Sequence, residues 1–302
     1  SMTITMLACS YLDREVIRRF LILITPNHSG DIPPDRDYSM SCTIWDSSNP
    51  SDPLHNVKAV VFDVFMVAHF LGWICKSILL RDTLTCWILS CFFEVVERLF
   101  KPWFPNFNEC WWDSLILDIL LCNGLGIYIG MKLVNILVVV PWETRLLSEC
   151  HSQRDKLLRM LKQFTPRSYI KYEWNPLQSP KRYFIWILVI SMLLLFEMNV
   201  FALKKVLKIT ATNILLTVLL FLHTLIGAPS ILEMYLYASN VKNTIGSYAA
   251  SHIILILTES FLVWKFREGC FTEACPLMNL IAFICIVSFL FIFPFIWFII
   301  LK

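Results

Sequence analysis

The sequence predicts an all-α protein, a polytopic transmembrane helical bundle of about seven membrane helices. Of its 302 residues, 57% are hydrophobic and 16% charged, against about 25% charged in an average soluble domain. Mean hydropathy is +0.63. The apolar residues also gather into runs of about 20, the length that crosses a bilayer as a helix. The net charge of +3 is too small, and the basic residues too concentrated in one loop, to point to a nucleic-acid partner.

Taken in order, Tyr11 to Thr25 sets Asp13, Arg14, Glu15, Arg18 and Arg19 before a short apolar run. That pattern fits an amphipathic interfacial helix better than a signal peptide or a span. With the acidic stretch that follows it makes an N-terminal region, 1–57. Spans are expected near 58–80, 83–101, 114–139, 183–203, 209–227, 246–265 and 277–301, forming a membrane domain 58–302. Its polar core motif lies in 58–130, followed by a basic loop 141–182 and the helices of 183–301. Asp63, His69 and Lys76 interrupt the first span, which therefore turns a polar face to the bundle interior. Gly124, Gly126 and Gly130 are expected to loosen the third. Many of the eleven cysteines sit in apolar runs, where a thiol acts as a small hydrophobe. No disulfide framework or zinc site is expected, and Cys110, Cys270 and Cys275 are the thiols near membrane edges that could pair on an oxidising side.

Loop charge proposes an orientation. Segment 141–182 holds nine Lys or Arg (Arg145, Arg154, Lys156, Arg159, Lys162, Arg167, Lys171, Lys181, Arg182) and is cytosolic by the positive-inside rule. Counting helices places 26–57, with Asp31, Asp35, Asp37, Asp46 and Asp52 against Arg36, on the opposite side with 102–111. The Lys204, Lys205 and Lys208 turn then falls on the non-cytosolic side, against the trend.

Within or beside the first three spans lie His69, Glu94, Glu97, Glu109, Asp113 and Asp118. A charged carboxylate costs roughly 2.5 to 3.5 kcal/mol at the centre of a membrane helix, so acids this dense need a cation, a proton or a polar substrate to share. Glu94 and Glu97 are three apart and neighbours on one helical face. Asp118, five beyond Asp113, sits about 140° round an α-helix, so these two are not expected to share a face, and Asn123 has the same difficulty relative to Asp118. Carboxylates and amides without thiolate are hard ligands, favouring Ca2+ ahead of Mg2+ or Mn2+. Such an ion would offset phosphodiester charge while a neutral histidine takes a proton from an attacking hydroxyl. Taken singly, an intramembrane histidine or a glutamate pair reads as a packed polar clasp. The joint occurrence of these residues favours a site.

The literal string adds a resemblance. Ala68-His69-Phe70-Leu71-Gly72-Trp73, Lys76, Leu79-Leu80-Arg81, Phe93-Glu94-Val95-Val96-Glu97, Pro105-Asn106-Phe107-Asn108-Glu109-Cys110-Trp111-Trp112-Asp113 and Leu117-Asp118-Ile119-Leu120-Leu121-Cys122-Asn123-Gly124 closely resemble the base-exchange phosphatidylserine synthases. Weaker similarity continues through Gln163-Phe164-Thr165-Pro166, Glu197-Met198-Asn199, Ala228-Pro229 and Glu259 to Lys265-Phe266.

The resemblance implies a multi-pass endoplasmic reticulum enzyme that exchanges the head group of phosphatidylethanolamine or phosphatidylcholine for L-serine, dependent on calcium. It implies catalytic roles for His69 and Glu94, and on physical grounds Glu94 is expected to orient His69. Metal ligands would be drawn from Glu97, Asn106, Glu109 and Asp113, and substrate contacts from Lys76, Arg81, Asp118 and Asn123. The partners are then membrane phospholipid, L-serine and the bilayer, with a homodimer left open. Members of that family carry additional N-terminal membrane helices, which Ser1 to Asp35 are expected to lack or replace. A transporter or an inactive homologue using the same cavity is the alternative. A CDP-diacylglycerol-dependent phosphatidyltransferase of the Asp-Gly-x2-Ala-Arg type is disfavoured because that run does not occur here.

Overall fold

The computed structural model describes residues 11–24, 37–139, 152–156, 170–210 and 213–301. Among these residues the regular structure is entirely helical. Most of the basic loop, including Arg145, Arg159, Lys162 and Arg167, lies outside them.

Helix α1 (Arg14–Ile24) is amphipathic, as its charges before an apolar run predict. It does more than lie in an interface, because Ile17 is buried against Leu203, Val206, Leu262 and Phe266 of the bundle. Helices α2 (His55–Val61) and α3 (Val64–Leu80) form a pair bent by 46°. The break falls at Asp63, whose carboxylate caps α3 by accepting from the Phe65 amide, satisfying an otherwise orphaned helix-terminal donor. Helix α4 (Thr83–Phe100) is capped the same way by Asp82. A short 3-10 turn (Pro105–Phe107) leads into a π-helical segment, Asp113–Asn123, which continues without a turn into α5 (Gly124–Val139). Helices α6 (Pro180–Val206), α7 (Ile214–Ala238), α8 (Ser247–Phe266) and α9 (Leu277–Phe295) complete the bundle.

Five of these helices are long and apolar enough to cross a membrane, or six if the bent pair is one span, beside about seven expected. The helix that falls short is α4, which carries Glu94, Glu97 and Arg98 within its 18 residues. The site has been built into that span at the expense of its hydropathy. The helix ends sort into two sets, as an alternating topology requires. At one, the Trp174 indole donates to Leu80 O at 3.2 Å and Lys181 Nζ to Asn240 at 2.9 Å. At the other, Trp103 donates to Glu273 O at 2.7 Å and Asn279 to Arg98 O at 3.0 Å.

The glycines of α5 bring backbones together instead of loosening the helix. A Cβ on Gly126 would stand 2.7 Å from Trp73 Cβ, and one on Gly130 would stand 2.5 Å from Ser77 Cβ. This small-residue spacing lets α3 and α5 approach closely in the manner of membrane helix pairs. Cys110 pairs with Cys42, 68 residues away, rather than with Cys270 or Cys275, which are free. The stretch around Cys42 is thereby fixed to the α4–α5 connection, where the Trp112 indole also donates to Cys42 O at 3.1 Å and Asn108 to the Asp37 carboxylate at 2.9 Å.

Candidate active site

The close α3–α5 contact sets His69 and Asn123, 54 residues apart, with His69 Nε2 2.7 Å from Asn123 Oδ1. On the other side of the same nitrogen, the Trp73 indole N–H stands at 3.2 Å. Trp73 is one turn on from His69, so the α-helix itself aligns the pair. The Asn123 amide nitrogen donates to Ser90 Oγ of α4 at 2.7 Å. Asp118 Oδ1 is 3.9 Å from His69 Nε2, and the imidazole keeps 24% of its side-chain surface exposed.

The π-helix overturns one expectation drawn from α-helical geometry. A helix bonded i to i+5 brings residues five apart nearly into line, so Asp113, Asp118 and Asn123 share the face that α-helical angles would have scattered. All three are buried. Glu109 and Asp118 stand close enough to share a hydrogen bond.

Glu94 and Glu97 meet Glu109 as their i, i+3 spacing allows, and each of the three offers an oxygen within 4.8 Å of the others. The Ser114 hydroxyl donates to Glu94 Oε2 at 2.7 Å. Glu94 Oε1 is buried without a partner, as is Asn106 Oδ1. Glu94 is therefore held by Ser114, while the orienting contacts of His69 come from Asn123 and Trp73. Burial, followed by the charges of Asp113 and Glu94, pushes the Glu109 carboxyl up to about 8. Three convergent carboxylates, one of them with an orphaned oxygen, are the donor set of a hard divalent cation. These residues fit such an ion, with Glu94, Glu97 and Glu109 as its nearest set.

Two basic residues are placed differently from the rest. Lys76 pairs with Glu197 of α6 at 2.9 Å and stands 4.2 Å above the Trp73 ring, so a carboxylate already answers its charge. Arg81 lies twelve residues beyond His69, about 18 Å along the helix. There it ends α3 in a left-handed conformation (φ 51°), donates to Ile170 O at 3.0 Å and covers the Tyr172 ring at 4.5 Å. The structure does not bring Arg81 to the acidic cluster. Sequence reasoning missed Ser90 and Ser114, and considered Trp73 only for its ring rather than for its indole N–H. Ser90 had one available signal, since it is four residues before Glu94 and on the same helical face.

Residues 2–267 match the sequence profile of the family described as Phosphatidyl serine synthase. The chain belongs to this family. It is 35% identical over 268 residues to a rice (Oryza sativa subsp. japonica) protein named CDP-diacylglycerol--serine O-phosphatidyltransferase 2, covering 88% of this chain and 63% of that one. Phosphatidylserine synthase 2 of Danio rerio is 36% identical over 251 residues, 82% of this chain and 55% of that one. Phosphatidylserine synthase 2 of Homo sapiens is 35% identical over 261 residues, 86% and 53%. The chain thus spans between half and two thirds of the length of these phosphatidylserine synthase relatives, and the match takes in both halves of the site, His69 and the acids of α4 and the π-helix.

Proposed function

We propose that this chain forms phosphatidylserine in the endoplasmic reticulum membrane by exchanging the head group of phosphatidylethanolamine or phosphatidylcholine for L-serine. The observation that carries the reading is a partly exposed intramembrane imidazole at the edge of an acidic cluster with a hard-cation donor set, in a chain of this family. His69 accepts the proton of the serine hydroxyl as that oxygen attacks phosphorus, and returns it to the departing amino alcohol. An alternative in which the imidazole itself is phosphatidylated uses the same placement. Asp118, 3.9 Å from His69 Nε2, is positioned to receive the serine ammonium.

Glu94, Glu97 and Glu109 would hold Ca2+, and Asp113 and Asn106 would be the further oxygen donors. Bound there, the ion supplies positive charge against the phosphodiester. Lys76 contributes by fixing Trp73, its own charge being matched by Glu197. Arg81 is proposed to serve as the end of α3, anchored at Ile170 O and over the Tyr172 ring.

The names of the relatives favour a second reading in one respect, since the rice protein's name specifies CDP-diacylglycerol as donor. One assay separates the two: labelled L-serine incorporation by membranes containing this chain, with and without calcium chelation and with and without CDP-diacylglycerol. Calcium-dependent incorporation without CDP-diacylglycerol is expected. Incorporation only when CDP-diacylglycerol is added would replace head-group exchange with the second reading.

A further inference from the structure

The surroundings of His69 Nε2 hold a chemical contradiction that the overall reaction does not address. An indole N–H can only donate, and an amide oxygen can only accept. Trp73 presents the first at 3.2 Å and Asn123 the second at 2.7 Å, both to the same ring nitrogen. A single nitrogen satisfies one of them at a time. When Nε2 is bare, its lone pair takes the Trp73 N–H and Asn123 Oδ1 goes unanswered. When Nε2 carries a proton, it donates to Asn123 and the Trp73 contact lapses. The nitrogen thus has a partner built for each of its two protonation states.

We propose that Trp73 and Asn123 are the two seats between which His69 Nε2 works during catalysis, and that Ser90 anchors the Asn123 seat. The inference rests on the head-group exchange reading above. The serine O–H bond breaks as its oxygen bonds to phosphorus, and the proton lands on Nε2, where Asn123 Oδ1 holds it. As the bond from phosphorus to the head-group oxygen breaks, the proton passes from Nε2 to that oxygen and Nε2 returns to the Trp73 N–H.

Three further features belong to this arrangement. Ser90 is fully buried, and its Oγ accepts from the far end of the Asn123 amide at 2.7 Å, so the amide reaches His69 from a fixed position. Trp73 is also fully buried, clamped under the Lys76 ammonium at 4.2 Å and against the backbone approach of Gly126. The transfer runs at Nε2 and requires that Nδ1 keep its proton throughout. Ser90 and Trp73 are positioning residues, acting through His69.

The test compares Ser90→Ala, Ser90→Thr and Trp73→Phe with the parent chain in purified form, reading kcat and KM for L-serine separately. Ser90→Ala and Trp73→Phe are expected to lower kcat by about tenfold to a hundredfold, the usual range for partners one shell out. KM for serine and the calcium midpoint stay near parental values, and Ser90→Thr, which keeps the hydroxyl, recovers most of the loss. An unchanged kcat in both variants overturns the proposal, as does an equal loss in Ser90→Ala and Ser90→Thr, which would show that only packing matters. The same proteins carrying 15N-histidine give a readout that needs no activity, with His69→Gln to assign its signals. If the parent incorporates no serine, the exchange reading falls by itself. The seats then stand if the Nε2 resonance of His69 moves in both Ser90→Ala and Trp73→Phe, and fall if it does not.

Discussion

Two clusters of buried ionisable residues sit in this bundle and are built on opposite terms. In the second cluster, unlike the site around His69, His223 Nε2 meets Glu259 Oε1 at 2.8 Å and His223 Nδ1 meets His252 Nε2 at 3.2 Å. His223 also stacks on Phe196 at 4.9 Å. Here one carboxylate is answered by one imidazole, which a second imidazole backs, and the paired His223 and Glu259 side chains have no exposed surface. Its chain ends at His252 Nδ1 and Glu259 Oε2, both buried without a partner. The site around His69 instead gathers five carboxylates about one imidazole and stays partly open. The difference separates clasp from site. A clasp pairs its carboxylate with an imidazole and closes over both, whereas a site leaves carboxylates facing one another and stays open for something that arrives.

Substituting the bases tests this division most severely. His69→Gln should lower serine incorporation by about a thousandfold or more, with the thermal midpoint in detergent unchanged. His223→Gln should do the reverse, lowering the midpoint while folded protein keeps its turnover. Loss of turnover without loss of stability in the second variant would move the clasp into the site. Next in size, Glu109→Gln should raise the calcium midpoint by about tenfold to a hundredfold, read as serine incorporation against free calcium. A parental midpoint would remove Glu109 from the ligand set.

Glu259→Ala removes an acceptor from a sealed hydrogen-bonded chain, and should cost about 2 kcal/mol of stability by denaturant titration, with calcium response retained. The smallest effect concerns pH. Because the Glu109 carboxyl is raised to about 8, it holds a proton at neutral pH that a cation must displace. Apparent calcium affinity should therefore rise severalfold between about pH 7 and about 8, with proton release on binding. A pH-independent midpoint would show that Glu109 is already ionised.

The bundle was legible because runs of 20 apolar residues have few other uses, and the spacing of Glu94 and Glu97 placed them correctly on one face. Asp113, Asp118 and Asn123 were misjudged because an α-helical angle was applied to a segment wound as a π-helix. Their fivefold spacing was visible, but nothing local announces that winding. The partner of Lys76 lies 121 residues away, and the role of Arg81 depends on a strap around Tyr172. Such pairings come from tertiary packing, and a single chain read along its length does not reveal them. The α5 glycines were noticed for the wrong reason, since their effect concerns a neighbour's backbone.

The bond between Cys42 and Cys110 carries information about time and place. Its two sulfurs flank the bent α2–α3 pair and α4, so it can close only once those helices have been threaded and both thiols stand on the same face of the membrane. Thiols persist as disulfides only where oxidants are available, and Cys110 adjoins Glu109. The loop that supplies an acid to the site is thus stamped with the side on which it matured. Its orientation can be read by thiol labelling before and after reduction, independently of any count of basic residues.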